Sequence, residues 1–108
     1  MKTAIELIAE ERARQISVEG WTPEHDDNHM AGEIAMAAVC YAMVPYVRDS
    51  APPAGKTPVF RYWPWNRHWW KPCPDDRVRE LVKAGALLVA EIDRLQRVVN
   101  EKAQTRSP

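Results

Sequence analysis

Val78, Leu81, Gly85, Leu88, Ile92, Leu95 and Val99 recur at alternating intervals of three and four residues. Only a helix gathers such positions onto one face, where they make a continuous apolar seam. The seam predicts a helix that opens near Asp75 or Asp76 and runs to about Asn100, with residues 101–108 as a frayed tail. Met30, Ile34, Ala37, Tyr41 and Val44 repeat the pattern. They predict a second helix from about His29 to near Tyr46, capped by Asp27 or Asn28 and disturbed in its last turn at Pro45. This stretch is dense in small residues, and with Gly85 they permit close helix approach. Thr3 followed by Glu6 is a capping-box pattern and Gly20 a natural stop, which places a first helix between about Thr3 and Glu19. The reading is an all-α protomer of three helices packed at shallow angles. A long loop rich in proline and tryptophan, about residues 49–75, joins the second helix to the third.

A chain of 108 residues is expected to form one domain, residues 1–108, with a modest core. At this size a partner subunit adds stability, so a helical homo-oligomer is expected. The formal net charge is zero, which argues against duplex nucleic acid as a partner. The apolar stretch from Ile34 to Val47 is Ala-rich, short and broken by Pro45, so no membrane partner is expected. The N-terminal segment turns charged at once, unlike a signal peptide. Cys40 and Cys73 have no metal-ligand spacing and read as reduced thiols in a cytoplasm.

The first helix has a seam of its own that changes character. Ile5 and Ile8 lead into Arg12, Gln15 and Glu19. Such a seam either drifts into solvent or lines a pocket, and it runs directly into a loop holding Trp21, Asp26 and Asp27. Asp26, Asp27, His29 and Glu33 then crowd one helix start. Carboxylates there suit Mg²⁺ and a phosphate-bearing substrate. His25 and His29 with a carboxylate would suit zinc. Plain helix capping is the alternative for the two aspartates.

The segment RYWPWNRHWWKPCP, residues 61–74, holds Trp63, Trp65, Trp69 and Trp70 among Arg61, Arg67, His68 and Lys71. Indole faces stack on bases, each stack contributing roughly 1–3 kcal/mol, and the cations neutralise phosphate. The same rings also pin a long loop to a helical body, and two or three of the four are expected to do so. In LVKAGALLVAEIDRL, Leu81 to Leu95 reads as core. Lys83, off the seam, is expected to meet a carboxylate of the second helix, Glu91 to reach the interior, and Asp93 and Arg94 to form a solvated face.

Three blocks in order, ERARQISVEGWTPEHDDNHMAGEIAMAAVCYA, WPWNRHWWKP and LVKAGALLVAEIDRL, resemble a group of small phage and prophage proteins of poorly defined function. More remotely, the pattern EGW…H…N…AGE is similar to all-alpha nucleotide pyrophosphatases of the MazG and dCTP pyrophosphatase type. Those are helical oligomers that cleave nucleoside triphosphates with Mg²⁺, held by an ExxE pair on one helix and an ExxD pair on the next. Here Glu33 matches the start of the first pair, but Met36 stands where its second Glu belongs. Glu80 matches the start of the second, but Lys83 replaces its Asp. An ammonium neutralises phosphate without generating a metal-bound hydroxide.

The resemblance therefore implies a nucleotide-binding protein that sequesters its ligand uncleaved and needs no cofactor. Its setting would be the cytoplasm of a bacterial host, and a cyclic dinucleotide or an ADP-ribose derivative of host antiviral signalling is a suitable ligand. Arg12, Gln15, Trp21, Trp65, Arg67, Trp69, Lys71 and Lys83 are the expected ligand-binding residues. The alternative is a Mg²⁺-dependent pyrophosphatase with Glu19, Asp27, Glu33 and Glu91 as its carboxylates. A further alternative is a protein-interaction module that buries the Trp-rich loop in a partner.

Overall fold

The structure, a computed structural model, describes residues 1–50 and 58–105. Every regular element among them is helical: α1 Ala4–Ser17, α2 Pro23–Asp26, α3 Glu33–Ala42, α4 Pro45–Arg48, α5 Val59–Tyr62, a 3₁₀ turn Arg67–Trp69, and α6 Arg77–Thr105. No helix among the described residues is long and apolar enough to cross a membrane. The part of the expected long loop at 51–57 and the end of the expected tail at 106–108 lie outside the described residues.

Thr3 caps α1 as its sequence predicts, accepting the Glu6 N–H while Glu6 reaches back to the Thr3 N–H. Gly20 takes a φ of 75°, the left-handed turn that ends this segment. The second predicted helix is shorter than its pattern. Thr22 and Pro23 open a separate turn, α2, and α3 starts only after Gly32, whose φ is 84°. Neither Asp27 nor Asn28 caps α3. Pro45 opens α4 rather than ending α3, because a proline at the first position of a helix loses no hydrogen bond. The α3 carbonyls left over at Tyr41 and Ala42 accept from the Arg77 guanidinium of α6. α6 continues helical to Thr105, past the predicted end at Asn100.

α1 and α3 both pack along α6, which is the wall they share. The α3 contribution to the core is Ile34, Ala37, Ala38, Cys40 and Tyr41, joined by Val59, Trp63, Ala84, Leu87 and Ala90. Small residues bring the helices close, and Ile8 of α1 lies over Gly85 so tightly that a Cβ there would sit 2.7 Å from its Cδ1. Ile5, expected in the seam, is 81% exposed.

The predicted α6 seam does not enter this core. Val78, Leu81, Leu88, Ile92, Leu95 and Val99 all face solvent. The buried row is a second stripe with the same alternating spacing: Glu80, Ala84, Leu87, Glu91 and Arg94. Three of its five residues are charged, so a search for apolar periodicity passes over it. Arg94, expected on a solvated face, is buried and holds Glu91 at 2.6 Å, which keeps its guanidinium more firmly protonated than usual. Glu91 does reach the interior, as a partner of Arg94.

Candidate functional site

Residues 19–29 and 65–69 face one another across a cleft of about 400 Å³ lined by Glu19, Trp21, His25, His29, Trp65, Asn66 and Trp69. Thr22 accepts the His25 N–H and starts the α2 turn, which places His25 and His29 side by side with ring centroids 4.9 Å apart. Trp21 stacks nearly parallel to His25 at 6.4 Å and meets Trp65 at 6.2 Å. Trp65 in turn lies 5.3 Å from His29. The result is a concave wall of indole and imidazole faces.

Polar contacts, the Arg12–Asp26 pair buried among them, hold the first wall in place. Arg12 donates to Asp26 at 2.7 Å and to the Trp21 carbonyl at 3.0 Å, tying α1 to α2. The Trp21 N–H donates to the Gln15 carbonyl. Arg97 of α6 clamps Asp27 at 2.8 Å and reaches the Pro23 carbonyl. Glu33 faces His29 at 3.1 Å and accepts the Ala31 N–H. Burial opposes ionisation of Glu33, but these hydrogen bonds win and bring its carboxyl below the usual value.

The opposite wall is anchored by two other tryptophans. Trp63 is buried edge-on to Tyr41 and Trp65 and donates its indole N–H to the Asn66 carbonyl. Trp70 lies on Tyr41 at 4.6 Å, with the Arg48 guanidinium 5.1 Å from its ring. Arg48 is fully buried and pairs with Glu80 at 2.9 Å. Glu80 also accepts from Arg77 and from the Cys73 N–H, so one carboxylate fastens α4, α6 and the end of the Trp-rich segment. The four tryptophans thus divide: Trp63 and Trp70 are anchors, Trp65 presents a face to the cleft, and Trp69, 44% exposed, stands at its rim.

A narrow recess continues the cleft inward. It shares Glu19, Trp21 and Trp69 and adds Gln15, Tyr41, Lys71 and Lys83. Tyr41 accepts the Lys71 N–H and the Lys83 ammonium donates to the Lys71 carbonyl at 2.9 Å, so α3 and α6 grip the backbone of one residue of the Trp-rich segment on both sides. Burial pushes the Tyr41 phenol up to about 12, which keeps it a neutral hydrogen-bonding group. Lys83 was expected to meet a carboxylate. It has none within ion-pair distance among the described residues, and neither has Lys71, whose ammonium lies 5.6 Å from the Trp69 ring. Glu19, by contrast, is neutralised by Arg14 at 3.1 Å. Two buried polar atoms at this site have no partner: the Trp65 indole N–H and the Gln15 side-chain oxygen. An unpartnered buried polar group costs about 1–3 kcal/mol.

Of the expected ligand-binding residues, Gln15, Trp21, Trp65, Trp69, Lys71 and Lys83 come together here. Two do not. Arg12 is spent on Asp26, and Arg67 lies over the Phe60 ring at 4.3 Å. The carboxylates expected for hydrolysis are dispersed: Glu19 pairs with Arg14, Asp27 with Arg97, Glu33 with His29 and Glu91 with Arg94. The set Asp26, Asp27, His29 and Glu33 and the zinc option with His25 fare alike. Among the described residues no three His, Cys, Asp or Glu side chains converge to hold a metal ion. Asn66 and Tyr41 are the site residues that sequence reasoning missed. Asn66 carries a readable signal, since its side chain caps the 3₁₀ turn by accepting the His68 N–H.

Comparison with protein-family models, curated proteins and solved structures gave no match.

Proposed function

We propose that this chain binds a nucleotide-type ligand in the tryptophan-walled cleft and holds it without cleaving it. The observation that carries the reading is the cavity of about 400 Å³ faced by Trp21, Trp65 and Trp69, a size and lining suited to a planar base. Lys71 and Lys83, at the inner end, offer positive charge that no carboxylate has claimed, matched to phosphate. The dispersal of Glu19, Asp27, Glu33 and Glu91 onto separate basic side chains favours retention over hydrolysis, because phosphoryl chemistry of this kind needs converging carboxylates.

Isothermal titration of the full chain with a nucleoside triphosphate, a cyclic dinucleotide and ADP-ribose, with and without Mg²⁺, tests the reading. The expected result is Mg²⁺-independent binding of at least one, with the ligand recovered intact after heat denaturation. Release of pyrophosphate and nucleoside monophosphate would establish the enzymatic alternative instead. Absence of heat with all three, together with protection of Trp69 by a protein partner, would favour the docking alternative.

A further inference from the structure

α6 carries apolar side chains on two faces, the inner one built of Val82, Ala84, Ala86, Leu87 and Ala90. Its inner stripe buries Glu80, Glu91 and Arg94, while Val78, Leu81, Leu88, Ile92, Leu95 and Val99 stand 45–65% exposed along its outer face. Burying charge while wetting six large aliphatic side chains is unfavourable on both counts in an isolated chain. From the structure we propose that this outer face is an interface between two copies of the chain, paired helix to helix through α6.

Four observations select that occupant. α1 covers the seam at Gly85 through Ile8, and from Leu88 to Val99 the outer residues keep the alternating spacing of a coiled-coil seam, a pattern that fits another helix. The residues flanking the seam, Arg77, Val82, Ala84, Val89, Glu91, Gln96 and Val98, include two charges, and each is paired within α6, Arg77 with Glu80 and Glu91 with Arg94. Two identical helices therefore meet without the like-charge repulsion that flanking lysines or glutamates would impose. The chain's formal net charge is zero, so no long-range repulsion separates two copies. At the far end of the seam Ile92, Leu95 and Val99 line a shallow groove that a neighbouring helix would fill.

The cleft lies elsewhere, so the interface stands or falls independently of ligand binding. Sedimentation velocity of the full chain, at on the order of 100 μM, should give twice the chain mass of 12.4 kDa. Leu88→Glu and Ile92→Glu, both at exposed positions, should each sediment as monomers with unchanged helical circular dichroism. Met36→Glu on the exposed face of α3, and Trp69→Ala at the cleft rim, should remain dimeric. A monomeric parent chain overturns the proposal. So does a folded seam variant that keeps the dimer mass, or a Trp69→Ala chain that dissociates, since the Trp-rich segment would then build the assembly.

Discussion

Two regions of this molecule use the same ingredients, tryptophan, a cation and a carboxylate, to opposite ends. Around Trp70, the Arg48 guanidinium is shared between Asp49 and Glu80, and Glu80 is in turn saturated by Arg77 and the Cys73 N–H. Around Trp65 and Trp69, the lysines lack carboxylates, a buried indole N–H and a buried carboxamide oxygen lack partners, and the cleft opens beside these residues. The first arrangement is nearly closed, with one guanidinium nitrogen of Arg48 left without a partner. The second leaves more of its polar groups without partners, beside an open cleft. Residue type alone says nothing about which is which. The count of satisfied partners does, because an unpaired polar group in a low-dielectric site is costly until something binds it.

The contrast can be broken most forcefully at the anchor. Arg48→Met leaves Glu80 buried without its main counter-charge, and such losses typically cost about 3–5 kcal/mol. Urea unfolding should show that drop. A change of under about 1 kcal/mol would mean that the pair is not the anchor described. Trp63→Ala, which empties a buried ring site, is expected to destabilise by a similar amount, about 3–5 kcal/mol.

The same substitution at the rim should behave in the opposite way. Trp69→Ala is expected to change stability by no more than about 0.5 kcal/mol, yet weaken nucleotide binding by about 1–3 kcal/mol, the worth of one base stack. If Trp69→Ala unfolds the protein and spares affinity, the division into anchor and cleft is reversed.

The smallest effect is in acid. Burial by itself would raise the Glu11 carboxyl, but hydrogen bonds and charge from Arg14 and Arg79 bring it below 4.5. A carboxyl with a depressed folded-state value stabilises the fold above its unfolded value, and that contribution is lost as pH falls through the folded one. Thermal midpoints should therefore be flat above pH 4.5 and decline below it. In Glu11→Gln the decline should be shallower, and an unchanged acid limb would remove Glu11 from the account.

Much of the helical content was legible because it rests on local signals. The capping box at Thr3 and Glu6, the turn at Gly20, and the 3–4 spacing that runs through α6 act within a few residues of chain. The concentration of indoles and cations that supplies one wall of the cleft was legible too, as composition. What local pattern could not reveal was which side of α6 meets α3. The outer apolar stripe and the inner stripe of Glu80, Ala84, Leu87, Glu91 and Arg94 share one periodicity, and apolar character picks the wrong one for the protomer.

The sequence alone, then, determined that the chain is helical, where its punctuation falls, and that Trp65 and Trp69 sit among basic residues. Only the tertiary structure decided that Arg12 and Arg67 turn away from the cleft while Lys83 turns toward it, and that Glu80 and Glu91 serve ion pairs. The reason is physical. Helix formation and capping are governed by neighbours in the chain, whereas the partner of a buried charge is whichever opposite charge the packing brings within about 3 Å, and for Arg48 and Glu80 that partner lies thirty-two residues away.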